Sequence, residues 1–275
     1  MLLEIGIADA FGMPYEFSGL QIQNIVGYRK RKKQIIAIGR YGDDTQMSIA
    51  IAELMLSDKE WTNENLAHYF YNGFKRDKRT GYAGKFYQFL LDVKSSEEFL
   101  EKIIPLSEKS GAAMRSVPLG YLEIDDLVDK CFAQAKITHN TDKGIFSSLI
   151  VALSSHYFIH DKGLKKDLFD WLNSLTPYQI SPNWYGFVGT SGFDCTIAAL
   201  TAVMKHDNLK DILKECINFT GDVDTVAAIA IGIASQCKEI EQNLPERLYT
   251  DFETGPYGIN YLKDLDLKLI EKYKK

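Results

Sequence analysis

Residues 220–234 read TGDVDTVAAIAIGIA: two aspartates and two threonines, then an apolar run. The run repeats apolar residues at the three- and four-residue spacing of one helix face, namely at Val226, Ile229, Ala230 and Ile233. A helix with such a face packs it against a core. The segment therefore predicts a core helix with Asp222, Asp224 and Thr225 just ahead of it.

The same spacing recurs elsewhere along the chain. One stripe consists of Met47, Ala50, Ile51, Leu54 and Met55. Similar stripes occupy residues 146–158, 196–204 and 209–217, whereas strand candidates such as residues 34–38 are few and short. No repeat or Pro/Gly-rich linker divides the sequence. We therefore expect an all-α fold in a single domain over residues 1–275.

Composition limits the classes of protein to consider. The 275 residues are 45% hydrophobic, which argues against intrinsic disorder. The net charge of −5 disfavours general nucleic-acid binding, which needs a basic surface. The first residues lack a secretory signal pattern, and no window is apolar enough to span a membrane. These features predict a cytoplasmic protein with no membrane partner. The four cysteines are expected to be reduced and buried.

Carboxylates cluster at three points in the sequence. Glu16 follows a Gly-x-Pro turn at residues 12–14, which should end a short helix begun at the N-terminus. Asp43-Asp44-Thr45 precedes the stripe that begins at Met47. Asp222-Val-Asp224-Thr225 precedes the apolar run described above. Each cluster therefore lies at a helix start or at a turn.

These clusters have two interpretations. Asp and Thr ahead of a helix are ordinary N-caps, and this explains a single such site well. A cap needs only one acceptor, however, whereas each pair supplies two carboxylates and a hydroxyl. Oxygen ligands this dense repel one another unless a hard cation neutralises them. Five carboxylates, Glu16 included, suit two divalent cations.

The motifs that carry a family resemblance follow one another in a fixed order. They are GIADAFGMPYEF at 6–17, GDDTQM at 42–47, SGAAMRSVPLG at 110–120, His139 to Gly144, and GDVDTVAAIAIGIAS at 221–235. In this order the chain resembles the ADP-ribosylglycohydrolase family. The resemblance implies a compact orthogonal helical bundle, with a binuclear Mg²⁺ or Mn²⁺ site in a central cleft. It also implies hydrolysis of the glycosidic bond between ADP-ribose and an acceptor.

The resemblance also assigns roles to residues. The metal ligands are expected to be Asp43, Asp44, Asp222, Asp224 and Thr225. The candidate catalytic carboxylates are Glu16 and Asp44, while Asp9 is expected to be structural. Substrate binding is expected from Ser110, Gly111, Ala112, Met114, Arg115, His139 and Gly144. Two alternatives stay open, because Arg115 can equally form a structural ion pair and His139 can be a capping residue.

Two of the chain's departures from the family pattern bear on its expected metal and substrate sites. Gly42 replaces a threonine, so one hydroxyl ligand is expected to be missing from the metal site. Lys109-Ser110 replaces an asparagine and glycine ahead of the substrate loop. These departures favour a rival function: a catalytically weak ADP-ribose binder, or an immunity protein that blocks an ADP-ribosyltransferase. The retained acidic residues favour a Mg²⁺-dependent hydrolase acting on an ADP-ribosylated protein or a small ADP-ribosyl substrate.

A basic run occupies residues 29–33, within a segment from 21 to 40 that has no helical stripe and is predicted to be a loop. Such a run is most often a solvated surface. Because it lies between two acidic motifs, it is also a candidate contact for the phosphates of a ligand.

Overall fold

The computed structural model describes residues 1–30 and 38–274, and within these ranges every regular element is helical. The helices are α1 (Leu2–Gly12), α2 (Asp43–Leu56), α3 (Asn63–Arg76), α4 (Gly84–Asp92), α5 (Ser96–Lys102), α6 (Gly111–Met114), α7 (Ile124–Lys136), α8 (Asp142–Ile159), α9 (Leu168–Leu175), α10 (Gly192–Lys205), α11 (Leu209–Phe219), α12 (Val223–Ala234), α13 (Glu246–Thr250) and α14 (Ile259–Tyr273). Two short 3-10 turns lie at Val117–Tyr121 and Lys165–Asp167. The all-α prediction is confirmed, while most of the strand expected at 34–38 lies outside the described residues.

Helix α12 lies at the centre of the fold. All its residues are buried, and it packs against α1, α8, α10 and α11. A helix that is apolar on every side is stable only when other helices surround it. The stripe predicted on α12 is therefore correct, but burial extends around the whole helix.

Two further sequence predictions concern the core. The stripes predicted at 146–158, 196–204 and 209–217 fall within α8, α10 and α11. All four cysteines are buried and free, as expected for reduced core thiols. Within the described ranges, no helix is both long enough and apolar enough to cross a bilayer.

Helix α2 begins earlier than its apolar stripe suggests. The stripe starts at Met47, but the helix starts at Asp43, so Asp43 and Asp44 belong to its first turn. Similarly, Asp222 lies at the N-cap of α12 and Asp224 in its first turn. Both acidic pairs are therefore positioned by helical backbone.

Candidate metal and substrate site

The turn after α1 brings Glu16 to the start of α12. Helix α1 ends at Gly12, and the Phe17 N–H donates to the Gly221 carbonyl over 2.8 Å. Carboxylate oxygens of Glu16, Asp222 and Asp224 lie within 4.8 Å of one another. The expected turn at Glu16 is thus confirmed, and it joins two sequence motifs that are some 200 residues apart.

Close backbone approach at α12 depends on two glycines. A methyl group on Gly12 would lie 2.5 Å from the Cα of Asp224. Gly221 has a φ of +97°, and a methyl group there would lie 1.9 Å from the carbonyl oxygen of Val188. That carbonyl accepts the Asp222 N–H over 3.0 Å. Only glycine fits both positions, and the aspartates are held from two sides.

Asp9 supplies the cap of α2. Its buried carboxylate accepts hydrogen bonds from the N–H of Gly42 at 2.9 and 3.0 Å. It also accepts from the N–H and the hydroxyl of Thr45, at 3.0 and 2.6 Å. The structural role expected for Asp9 is therefore what its contacts show. Asp9 thus satisfies two backbone N–H groups at this helix end, those of Gly42 and Thr45, so the capping acceptor comes from α1.

The four aspartates are buried but not used for capping. Asp222, at the N-cap of α12, makes no side-chain capping bond, and the N-cap of α2 is Gly42, not an aspartate. One oxygen each of Asp44 and Asp224 is buried without a hydrogen-bond partner among the described residues. A buried, unpaired carboxylate oxygen is costly. The N-cap interpretation therefore does not account for these side chains.

Electrostatic repulsion is the second property of this cluster. Burial raises the pKa of Asp44 well above its usual range, and the charge of Asp43 adds to the shift. Burial followed by the charge of Glu16 does the same to the pKa of Asp224. The pKa of Asp43 is also raised, by burial and by the charge of Asp9. These carboxylates favour protonation unless a cation neutralises them.

This donor set suits a hard divalent cation. Carboxylate and hydroxyl oxygens are the ligands preferred by Mg²⁺ and Mn²⁺, and unpaired buried oxygens point to a cationic partner. The residues that could hold such ions are Asp43, Asp44, Asp222, Asp224 and Thr225, with Glu16 beside them. Burial raises the pKa of Asp222. The hydroxyl of Thr225, which is buried with the aspartates, offsets part of this rise through a hydrogen bond.

Two contacts to Asp222 were not predicted from the sequence. The Ser110 hydroxyl lies 3.4 Å from Oδ2 of Asp222, and the Cys195 thiol lies 3.7 Å from the same oxygen. Ser110 was expected to bind substrate only, and nothing in the sequence spacing joins Cys195 to the acidic motif. The Ser110 contact connects the expected substrate loop to the acidic cluster.

The expected substrate loop lies next to the start of α10. Lys109 forms an isolated bridge with Ser191, and the Gly192 N–H donates to the Glu108 carbonyl over 2.9 Å. Ala112 and Met114 are buried in α6, whereas Gly111 is partly exposed. The beginning of this loop is joined to the acidic cluster by the contact of Ser110 with Asp222.

Arg115 lies beneath the loop. Only 1% of it is exposed, and it donates to the Gln134 carbonyl over 2.7 Å and to the Thr138 hydroxyl over 2.9 Å. It also lies 4.4 Å above the centre of the Phe70 ring. Its described partners are all neutral, so the alternative of a structural ion pair is not what is found. Burial lowers the pKa of Arg115 to about 9, which leaves it charged at pH 7.

His139 faces the loop from the segment before α8. Its Nδ1 lies 2.6 Å from the Thr138 hydroxyl, and its Nε2 is buried with no hydrogen-bond partner among the described residues. Thr141, not His139, caps α8 by accepting the Gly144 N–H. Gly144 is buried, and a methyl group on it would lie 2.8 Å from Cβ of His139. The capping alternative for His139 is therefore wrong.

The surroundings of Gly42 show how much room a side chain would have at the position of the expected missing ligand. Its φ of −104° is accessible to any residue. A methyl group there would lie 3.0 Å from Oδ1 of Asp9, 3.0 Å from the Thr80 carbonyl oxygen and 3.1 Å from the Met13 sulfur. A side chain at position 42 is therefore crowded by Asp9, Thr80 and Met13.

The basic run begins beside Tyr15, on the turn that carries Glu16. The Arg29 guanidinium lies 5.8 Å from the centre of the Tyr15 ring, next to Glu16 in the sequence. The residues from 31 to 33 lie outside the described part of the chain. Nearby, the exposed rings of Phe17 and Phe187 are 6.0 Å apart. The edge of the site therefore combines a cation with exposed aromatic rings.

Comparison with known proteins gives a family and a fold. A family model described as ADP-ribosylglycohydrolase matches residues 2–273. A protein from Xenopus tropicalis named ADP-ribosylhydrolase ARH3 is 27% identical over 52% of this chain, and the match spans 43% of that protein, less than half its length. A protein from Pseudomonas putida (strain GB-1) named ADP-ribosylarginine hydrolase Tri1 is 22% identical over 89% of this chain and 71% of that protein.

A solved structure extends the match to the whole fold. The structure, titled "ADP-ribosylglycohydrolase-related protein complex", superposes with a TM-score of 0.71 over 99% of this chain and 96% of that chain. The two sequences are 17% identical, so this similarity shows a shared helical fold.

Proposed function

The chain belongs to the ADP-ribosylglycohydrolase family, and from this premise we propose that it is a divalent-cation-dependent hydrolase that releases ADP-ribose from an acceptor. The observation that carries the proposal is the buried cluster of Asp43, Asp44, Asp222 and Asp224, in which two carboxylate oxygens have no partner among the described residues. A cationic partner stabilises such a cluster in its charged form.

We assign the cation ligands to the four aspartates and Thr225. Bound there, Mg²⁺ or Mn²⁺ supplies Lewis acidity and an oriented water for hydrolysis of the glycosidic bond. The number of ions that we propose is two, because the four aspartates and Glu16 together carry a formal charge of −5. Asp9 and the glycine contacts described above keep the carboxylates in place before any ion binds.

Glu16 is the proposed proton-transfer residue. It is only partly buried and lies on the turn after α1, whereas the four aspartates are buried at helix starts. Cleavage of a glycosidic bond needs a proton on the leaving group and negative charge near the sugar. We assign the first task to Glu16, and Asp44 is our second candidate.

The remaining part of the site is proposed to bind the ADP-ribosyl group. Ser110 and Gly111 lie between the acidic cluster and His139, so a ligand that spans them reaches both. Backbone N–H groups at a glycine-containing loop suit a diphosphate. We propose that this loop binds the diphosphate while the distal ribose lies at the cluster.

The test is turnover of defined substrates. Peptides ADP-ribosylated on arginine or on serine, and a small ADP-ribosyl substrate, are incubated with the protein in Mg²⁺ and in EDTA, and free ADP-ribose is measured. We expect release from at least one substrate in Mg²⁺ and loss of release in EDTA. Absence of release from all of them, with ADP-ribose still bound, would instead support the non-catalytic alternative.

A matched pair of variants connects the activity to the cluster. Asp224→Asn removes a proposed ligand, and Asp170→Asn removes the same charge from an exposed position on α9. We expect the first to lose at least 100-fold in rate. Removing a residue that only supports a metal ligand already costs about 10- to 100-fold, and a ligand itself should cost more. The second should keep wild-type activity.

A further inference from the structure

The segment of residues 77–82 lies across the start of α2. It follows α3 and its backbone is irregular. The Thr80 carbonyl oxygen faces Gly42, since a methyl group on Gly42 would lie 3.0 Å from it. Gly81 faces Asp43, because a methyl group on Gly81 would collide with Oδ1 of the Asp43 carboxylate. The segment therefore lies directly against a proposed cation ligand.

Gly81 permits this close approach. Its φ of +110° lies in the region that glycine adopts without strain. A methyl group there would also lie 3.2 Å from the backbone nitrogen of Asp43. The 77–82 segment thus meets both the backbone and the carboxylate of Asp43, and it limits the positions that this carboxylate can take.

Arg79 anchors the 77–82 segment from inside the protein. Only 3% of it is exposed, and it forms ion pairs with Asp77 and Glu253. Its Nε donates to Asp77 over 2.7 Å. Its guanidinium lies 3.7 Å above the centre of the Tyr41 ring and donates to the Tyr41 carbonyl over 3.3 Å. An arginine that is paired and stacked in this way holds its partners in one geometry.

The contacts of Arg79 extend to the chain that leads into α2. The Tyr41 N–H donates to Oε1 of Glu253 over 3.2 Å, and Arg79 donates to the same oxygen. Glu253 follows α13, and its own N–H donates to the Gly39 carbonyl over 3.2 Å. Arg79 therefore fixes the backbone two residues before Asp43 as well as the segment that lies against it.

A second set of hydrogen bonds attaches the 77–82 segment to α2. The Gln46 side chain donates to the carbonyls of Gly73 and Asp77, over 3.0 and 2.6 Å. The Tyr82 hydroxyl donates to Oε1 of Gln46 over 2.7 Å. None of these bonds involves Arg79. A variant at Arg79 therefore removes one anchor of the segment and leaves the other in place.

We propose that Arg79 is a positioning residue for the cation site, which acts through Tyr41 and the 77–82 segment to hold Asp43 where it binds the cation. The inference rests on the function proposed above and extends it to a residue whose described partners are not proposed ligands. Without Arg79, the start of α2 and the Asp43 carboxylate have more positions open to them. Residues that orient a metal ligand typically contribute about 10- to 100-fold in metal affinity.

The first test measures Mn²⁺ affinity without substrate, from the electron paramagnetic resonance signal of the free ion. Arg79→Met keeps an unbranched side chain but removes the guanidinium. We expect it to raise the Kd for Mn²⁺ by about 10-fold or more. Arg76→Met is the matched control, because Arg76 also pairs with a glutamate, Glu53, and lies 4.5 Å above a tyrosine ring, that of Tyr257. Its Mn²⁺ affinity should equal that of the wild type.

The control separates positioning from stability. Glu53 lies near the end of α2, so Arg76→Met also removes an ion pair to this helix, but far from Asp43. By urea denaturation in EDTA, both variants should be less stable than the wild type, while only Arg79→Met should bind Mn²⁺ more weakly. If Arg79→Met does not fold, Arg79→Lys replaces it. Lysine keeps the charge but not the paired donors, and should weaken Mn²⁺ binding by about 3-fold or more.

The second test uses the metal-free protein. The N–H groups of Gly42 and Thr45 donate to Asp9 at the start of α2, so their hydrogen exchange reports how firmly this helix end is held. In EDTA, we expect exchange at these two groups to be faster in Arg79→Met than in the wild type. In Arg76→Met it should be unchanged.

The outcomes separate this inference from the proposed function. If Mn²⁺ binds equally tightly to the wild type and to Arg79→Met, or if Arg76→Met loses as much affinity, the positioning role is overturned while the hydrolase proposal stands. If the wild type binds no Mn²⁺, the proposed function fails. Faster exchange in Arg79→Met would then still support its hold on the start of α2, and unchanged exchange would overturn that as well.

Discussion

Asp9 accepts hydrogen bonds from both the backbone N–H and the hydroxyl of Thr45, at 3.0 and 2.6 Å. The two residues come from different helices, and their contact fixes the start of α2 relative to α1. This relationship explains why three neighbouring aspartates have different roles. Asp9 is hydrogen-bonded as a cap, which leaves Asp43 and Asp44 available to a cation.

The capping role of Asp9 predicts a loss of stability on its removal. Asp9→Ala should lower the free energy of unfolding by about 2 kcal/mol, the upper range for a lost cap. Thr45→Val removes the hydroxyl but keeps the N–H, and should cost about 1 kcal/mol. Urea denaturation in EDTA measures both. Equal stability of Asp9→Ala and wild type would contradict the capping role.

Asp224 should behave in the opposite way. One of its oxygens is buried without a partner among the described residues, and its neighbours are acidic. Asp224→Asn should therefore leave the protein in EDTA as stable as the wild type or more stable. Added Mg²⁺ should raise the melting temperature of the wild type and not of this variant. A large loss of stability in EDTA would favour a structural role.

Position 42 tests whether a hydroxyl ligand is missing. Gly42→Ala and Gly42→Thr both introduce a Cβ about 3 Å from neighbouring atoms, so each should destabilise the protein by about 1–3 kcal/mol. Only threonine adds a hydroxyl. If position 42 is a ligand position, the Mg²⁺ affinity of Gly42→Thr should be about 10-fold higher than that of Gly42→Ala, or more. Equal affinities by calorimetry would show that it is not.

Buried His139 predicts a specific dependence of stability on pH. Its pKa is about 3 in the folded protein, against 6.5 for an ordinary histidine. The unfolded chain therefore binds more protons between these values, and stability falls as the pH falls below 6.5. Between pH 7 and pH 5, His139→Gln should lose about 1–2 kcal/mol less than the wild type. Parallel curves from urea denaturation would contradict a neutral, buried His139.

The basic run predicts a difference between substrates. Arg29 lies beside Tyr15 at the edge of the site, so we expect the run from 29 to 33 to contact an ADP-ribosylated protein. Replacing Lys30, Arg31 and Lys32 with serine should raise KM for that protein more than for a small ADP-ribosyl substrate, most strongly at low salt. The matched control replaces the exposed Lys162, Lys166 and Lys238. Equal KM changes in both triple variants would show that the run is only a solvated surface.

Sequence patterns predicted the helices because burial follows the 3.6-residue period, as Leu209, Ile212 and Cys216 on α11 illustrate. The patterns also predicted the three acidic motifs, since each contains several carboxylates within a few residues. That Glu16 meets Asp222 and Asp224 was implied by the family resemblance and is visible in the structure.

Contacts between distant segments could not be predicted in this way. The cap that Asp9 gives α2, the approach of Ser110 to Asp222 and the partners of Arg115 depend on packing and have no local spacing. Two contacts did have a local signal in the sequence. Thr138 directly precedes His139, with which it is in contact.

His156 and His160 are four residues apart, on or beside α8, which is the spacing of neighbours on one helix face. Their rings stack 4.1 Å apart in the structure.

The most direct test of the account is an anomalous difference map from a crystal grown with Mn²⁺ and ADP-ribose. We predict Mn²⁺ peaks bounded by Asp43, Asp44, Asp222 and Asp224, with the distal ribose against them and the diphosphate between Ser110 and His139. Ordered ADP-ribose elsewhere, or no anomalous peak at these four carboxylates at saturating Mn²⁺, would contradict the account.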